Sequence, residues 1–124
     1  MNKNKFYILL TVLFFTLNIK IWANVTATAS SAQDRERGAD KVCDGNIGTR
    51  WSSEFRDPQW LKIDFGETKD FVGAAIYWEA AYGKSYDILF SKDDISWKKV
   101  YSTDNSDGGL DEIDFEKETA RYMK

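Results

Sequence analysis

No segment of this chain keeps an apolar period of 3.6 residues over three helical turns, whereas several alternate apolar and polar residues with a period of two. That pattern favours strands over a helix bundle. Leu61, Ile63 and Phe65 alternate with Lys62 and Asp64, so this run is predicted as a half-buried strand ending at Gly66. Residues 71–78 are mostly apolar, with Val72, Ala74, Ile76 and Trp78 on one face, as in a strand covered on both sides. Residues 86–90 alternate again, 91–96 carry turn chemistry and 97–101 return, which predicts a hairpin. Ile113 and Phe115 alternate with Glu112 and Asp114 in a further strand, and residues 121–124 read as the start of another. The single proline, Pro58, falls in a loop, and no internal repeat or low-complexity linker interrupts the pattern. Many short strands with frequent turns indicate an all-β antiparallel sandwich or barrel.

The first 23 residues stand apart. A short positive stretch with Lys3 and Lys5 precedes an uncharged apolar run over residues 6–17, and Ala23 supplies a small residue before a polar segment. This order predicts a secretory signal peptide cleaved after Ala23. The run is well short of the roughly 20 apolar residues that a bilayer span requires. The expected organisation is therefore a leader over residues 1–23 and one small domain over residues 24–124, secreted, periplasmic or extracellular. Formal net charge is −3 for the whole chain, and removing the leader's Lys3, Lys5 and Lys20 leaves −6. An acidic surface with no Lys/Arg block argues against nucleic acid or anionic lipid as partner. The one cysteine, Cys43, cannot form an internal disulfide. A small exported domain then needs another staple, a metal or a strongly aromatic core.

Asp44-Gly45-Asn46-Ile47-Gly48-Thr49-Arg50-Trp51 supplies a candidate for that metal. An Asp carboxylate, an Asn amide and a Thr hydroxyl at these offsets can converge on one hard cation, and the glycines let the backbone fold close around it. The spacing is not that of an EF-hand, because the twelfth position counted from Asp44 is Phe55 where a bidentate Glu is required.

Taken in order, these motifs resemble the discoidin, or coagulation factor 5/8 type C, family, including its carbohydrate-binding module family 32-like bacterial members. The resemblance rests on Ala29-Ser30-Ser31, Asp44-Gly45-Asn46 with Thr49-Arg50-Trp51-Ser52, and residues 60–66. It continues through Tyr77-Trp78-Glu79, Ala81-Tyr82-Gly83-Lys84, Tyr86-Asp87-Ile88, residues 91–97 and Ala120-Arg121-Tyr122. It implies a galactose-binding-like jelly-roll β-sandwich that binds a ligand and does no chemistry. The family pattern runs on for some twenty residues beyond the position of Lys124, so the last strand is expected to be missing and the domain incomplete at its carboxyl end. The resemblance also implies a structural calcium held by the Asp44 carboxylate, backbone oxygens of Lys41 and Asn46, and both oxygens of Thr49. Relatives complete that shell with a glutamate near the carboxyl end, so weak calcium binding is expected here.

Sugars are held by aromatic faces with polar groups on their hydroxyls. Three loops together can supply both, and a jelly roll of this kind would gather them at one end. Arg35 and Arg37 lie in the first, Glu54, Phe55 and Arg56 in the second, and Glu79 and Tyr82 in the third, which Trp78 opens. Trp78 reads equally as core and as platform. Galactose binders of this family place a histidine where this chain has Ser52, which puts a galactose pocket of that kind in doubt. Trp51, Trp60 and Trp97 are expected in the core, and Cys43 as a small buried residue. Asn24-Val25-Thr26 has the form of a glycosylation acceptor.

With no histidine, Ser-His-Asp and Cys-His catalysis are excluded. The expected function is an exported, non-catalytic carbohydrate-binding module whose partner is a glycan or cell-surface polysaccharide, without membrane insertion. The alternatives are a protein- or surface-adhesion module on the same fold, or a non-functional fragment of a larger glycoside hydrolase.

Overall fold

The computed structural model describes residues 24–124. The predicted leader therefore lies outside the described residues. Five strands form one antiparallel sheet in the order β1-β2-β5-β3-β4. They are β1 (Thr26–Ala29), β2 (Leu61–Tyr77), β3 (Tyr86–Ser91), β4 (Lys98–Thr103) and β5 (Leu110–Met123). Two 3-10 turns, Arg35–Arg37 and Ala39–Val42, occupy the long connection between β1 and β2.

The sequence expectation of two strands over residues 61–66 and 71–78 is corrected: both belong to the single strand β2. Gly66 sits inside it at φ +76°, a conformation that costs a residue without Cβ little, so the chain bends without ending the ladder. The strand expected at Ile113 and the one expected from Arg121 are likewise one element, β5.

Both long strands fold back on themselves. A straight strand of 14 residues would hold its ends about 45 Å apart. Yet Lys124, just past β5, exchanges two backbone hydrogen bonds of 2.8 Å with Leu89. Near the other end of β5, Asp111 accepts a 2.7 Å hydrogen bond from the hydroxyl of Tyr86, only a few residues along β3. The turn-around falls where the register of β2 against β5 shifts, between Asp64 and Lys69 and between Phe71 and Gly73. One layer of the sandwich thus holds β1, the first part of β2, the last part of β5, β3 and β4. The other holds the second part of β2 against the first part of β5. Because β2 is paired with β5 along both parts, the chain enters at Leu61 and leaves at Tyr77 from the same end.

The core lies between the layers and is built on phenylalanine. Phe71, 1% exposed, packs on Phe65 with ring centres 4.7 Å apart and stacks on Phe90 at 5.0 Å. Phe115 meets the Phe90 ring edge-on at 5.4 Å. Val25, Val42, Ile63, Ala74, Ile88, Ile113, Ala120 and Met123 complete the cluster. Trp51 packs against it as expected, and Cys43 does so while remaining partly exposed. Trp60 and Trp97 are corrections. Trp60 is 44% exposed at the loop end, and Trp97 lies outside the core with the Lys124 ammonium 4.4 Å above its ring. Both sit beside strand ends, where the layers no longer cover them.

The predicted hairpin is present: β3 and β4 pair from Tyr86 opposite Thr103 to Phe90 opposite Lys98. Its connection is closed by the buried Ser91, whose hydroxyl donates to Asp93 Oδ1 and accepts from the amides of Asp93 and Asp94. That turn lies at the far end of the sandwich from residues 78–85.

Candidate functional site

Two pairs of loops leave the sandwich at the Leu61 and Tyr77 end, and each pair is held together by its own hydrogen bonds. In the first, the amide of Gln33 donates to the Ser52 carbonyl at 2.7 Å and that of Ser52 to the Arg37 carbonyl at 3.2 Å. The Trp51 indole donates to the Ser31 carbonyl at 2.9 Å, and the Glu54 amide to the Ser31 hydroxyl at 3.1 Å. Arg35 and Arg37 fall in the 3-10 turn that Asp34 caps through the Glu36 amide at 2.9 Å. Arg37 also pairs with the Asp34 carboxylate, while Arg35 is exposed. Glu54 and Arg56 form an ion pair at 3.0 Å across Phe55, which is 91% exposed. The structure therefore brings Arg35, Arg37, Glu54, Phe55 and Arg56 onto one stapled surface.

The second pair joins residues 78–85 to residues 103–109. The Trp78 amide donates to the Gly109 carbonyl at 2.6 Å and that of Ser106 to the Lys84 carbonyl at 3.0 Å. Trp78 serves this scaffold: its indole N–H is taken by Asp111 at 2.8 Å, and its ring packs on Tyr86 at 5.4 Å. Gly83 lies so close that a Cβ there would come within 3.1 Å of the indole. Tyr82, 44% exposed, is the open aromatic of this pair. Glu79 accepts from the Ala81 amide at 3.2 Å and pairs with no cation among the described residues.

Three residues that organise this pair escaped the sequence reading: Asp111, Ser106 and Gly108. Asp111 Oδ2 accepts from Trp78, Tyr86 and Ser106 at once. Burial opposes its ionisation, but the three donors outweigh that and hold its carboxyl below the usual range. Burial, and then Asp111, push the Tyr86 phenol upward, so it stays a donor. No local motif marks Asp111, because two of its partners lie 33 and 25 residues away.

The Asp44 turn is closed by its own side chains. Asp44 Oδ1 accepts from the Asn46 amide at 2.8 Å, and Asn46 Oδ1 from the Gly48 amide at 2.9 Å. Thr49 Oγ1 lies 2.8 Å from both Asp44 Oδ2 and the Asn46 carbonyl oxygen. These three oxygens, a carboxylate, a hydroxyl and a carbonyl, are hard donors whose chemistry fits a hard cation. Lys41 lies in the preceding 3-10 turn with its ammonium 2.9 Å from Asp40. Among the described residues no three His, Cys, Asp or Glu side chains gather as a metal cluster, so the turn offers one carboxylate and neutral oxygens.

The F5/8 type C domain model matches residues 26–124, and the chain belongs to that family. It is 40% identical to chitosan-binding module 1 of a chitosanase/glucanase from Paenibacillus sp. IK-5, with a TM-score of 0.77 over 83% of this chain and 81% of that one. Chitosan-binding module 2 of the same enzyme, solved with chitotriose, is 35% identical with a TM-score of 0.77 over 83% and 82% of the two chains. Among curated proteins, the polysaccharide lyase 8 family protein HylA of Enterococcus faecalis (strain ATCC 700802 / V583) is 35% identical over 88 residues. That match takes in 68% of this chain and 6% of the lyase, so the chain spans a small part of that relative's length.

Proposed function

We propose that this domain is a non-catalytic carbohydrate-binding module that holds an amino-sugar polysaccharide of the chitosan type at its loop end. The observation that carries the reading is the placement on one braced loop of an exposed aromatic, Tyr82, and a carboxylate, Glu79, that has no cation partner among the described residues. A glucosamine unit offers an apolar C–H face for the ring and an ammonium for the carboxylate. The similarity to two chitosan-binding modules supports the same ligand class. The net charge of −6 that remains once the three leader lysines are set aside favours a cationic polymer over an acidic one. Ser52, in place of a histidine, accords with a ligand other than galactose.

Two further parts belong to this proposal. Calcium would occupy the Asp44 turn, held by Asp44, Asn46, Thr49 and the Lys41 backbone, with a structural role apart from the sugar. The domain would work outside the cytoplasm after removal of residues 1–23.

Calorimetric titration with a glucosamine hexamer tests the reading. Binding is expected, weakened by salt, and weakened about tenfold in Glu79→Gln, since a charge-assisted bond is worth about 1.5–3 kcal/mol before solvent screening. Equal binding of the fully N-acetylated hexamer, or binding of neither, would overturn the amino-sugar assignment.

A further inference from the structure

The loop over residues 103–109 bears on the ligand through Tyr82. Gly108 has φ +78°, and its backbone lies against the tyrosine ring: a Cβ there would stand 2.8 Å from Cδ1 and 3.0 Å from Cγ. One face of the ring is thereby covered by backbone, while the side chain stays 44% exposed. The loop that carries Gly108 is itself fixed. Its amide donates to the Ser106 hydroxyl at 3.3 Å, and that hydroxyl donates to Asp111 at 2.8 Å. The same carboxylate oxygen anchors Trp78, four residues before Tyr82, at 2.8 Å, and the Ser106 amide reaches the Lys84 carbonyl at 3.0 Å. Tyr82 is thus braced from both sides in sequence and from below by glycine backbone.

An aromatic ring already ordered, with one face backed and the other open, binds the C–H face of a sugar without the entropy loss of freezing a free side chain. We propose that Gly108 and Asp111 are positioning residues that hold Tyr82 as a stacking platform for a pyranose ring, which makes residues 103–109 a second wall of the ligand site. This rests on the carbohydrate-binding reading above.

The test is a double-mutant cycle read by calorimetry with the glucosamine hexamer, with each variant's melting temperature measured beside it. Tyr82→Ala is expected to weaken binding about tenfold, the value of one stacked ring. Gly108→Ala forces a methyl into the ring and is expected to weaken binding by a similar factor. In the Tyr82→Ala background it should then have no further effect, because there is no ring left to displace. Asp111→Asn, which keeps the side chain's size, gives the same cycle by a second route. Losses that multiply in the double variants would overturn the proposal, since they would show that Gly108 and Asp111 act independently of the ring. Unchanged binding in Tyr82→Ala would overturn it while leaving the carbohydrate reading in place. Failure of the unaltered chain to bind any glycan would remove that reading and this inference together.

Discussion

Asp64 and Asp111 are half-buried carboxylates, and each is held charged through donors that only the folded chain assembles. Asp64 takes both arms of the Arg121 guanidinium, at 2.9 and 3.0 Å, and the Gly66 amide at 2.8 Å. Arg121 is the main cause that lowers its carboxyl from the ordinary range, against a smaller opposing effect of burial. Asp111 is lowered by its three donors despite burial. A carboxyl lowered in the folded state contributes stability above its unfolded value and loses it as pH falls through the folded one. The melting temperature should therefore hold level down to about pH 5 and fall below about pH 4, and Asp64→Asn should flatten part of that fall. Thermal melts across a pH series check this; a melting temperature unchanged down to about pH 2.5 would contradict it. The ion pair is partly exposed, so salt should shrink its share. Neither role was legible in the sequence, because Arg121 and Asp64 are 57 residues apart and meet only through the register of β2 against β5.

The elements divide by how local their physics is. The alternation in residues 61–65 and 86–90 was legible because one face of each strand is buried and the other wet. The continuity of β2 through Gly66 was not, since a glycine after an alternating run reads equally as an end and as a bend. β1 was also silent: Thr26-Ala27-Thr28-Ala29 carries no large apolar side chain, and it is a strand through its pairing with residues 61–64. The Asp44 turn was legible because its contacts span only two to five residues. The proposed calcium site can be tested on that element. At a calcium concentration about ten times Kd, native-state binding adds about 1.4 kcal/mol, or several degrees for a domain of this size. Asp44→Asn should abolish the increment. No calcium-dependent shift in the unaltered chain at millimolar concentrations would exclude the site.

At the scale of the molecule, folding back β2 and β5 does two things together. It encloses the phenylalanine core between layers, and it delivers residues 30–37, 52–60, 78–85 and 103–109 to one end. The family fold, and with it the loops that carry the candidate site, was legible from the order of motifs. The stapling of residues 103–109 to residues 78–85 was not, because a polar loop shows its function only through what it packs against. Ligand contact should therefore be confined to one end, far from the turn at residues 91–96. Backbone amide chemical shifts followed during titration with a glucosamine hexamer test this most directly. The expected perturbations cluster in residues 33–37, 52–57, 79–83 and 103–109. Perturbations centred on residues 91–97, or none at saturating sugar, would contradict the account.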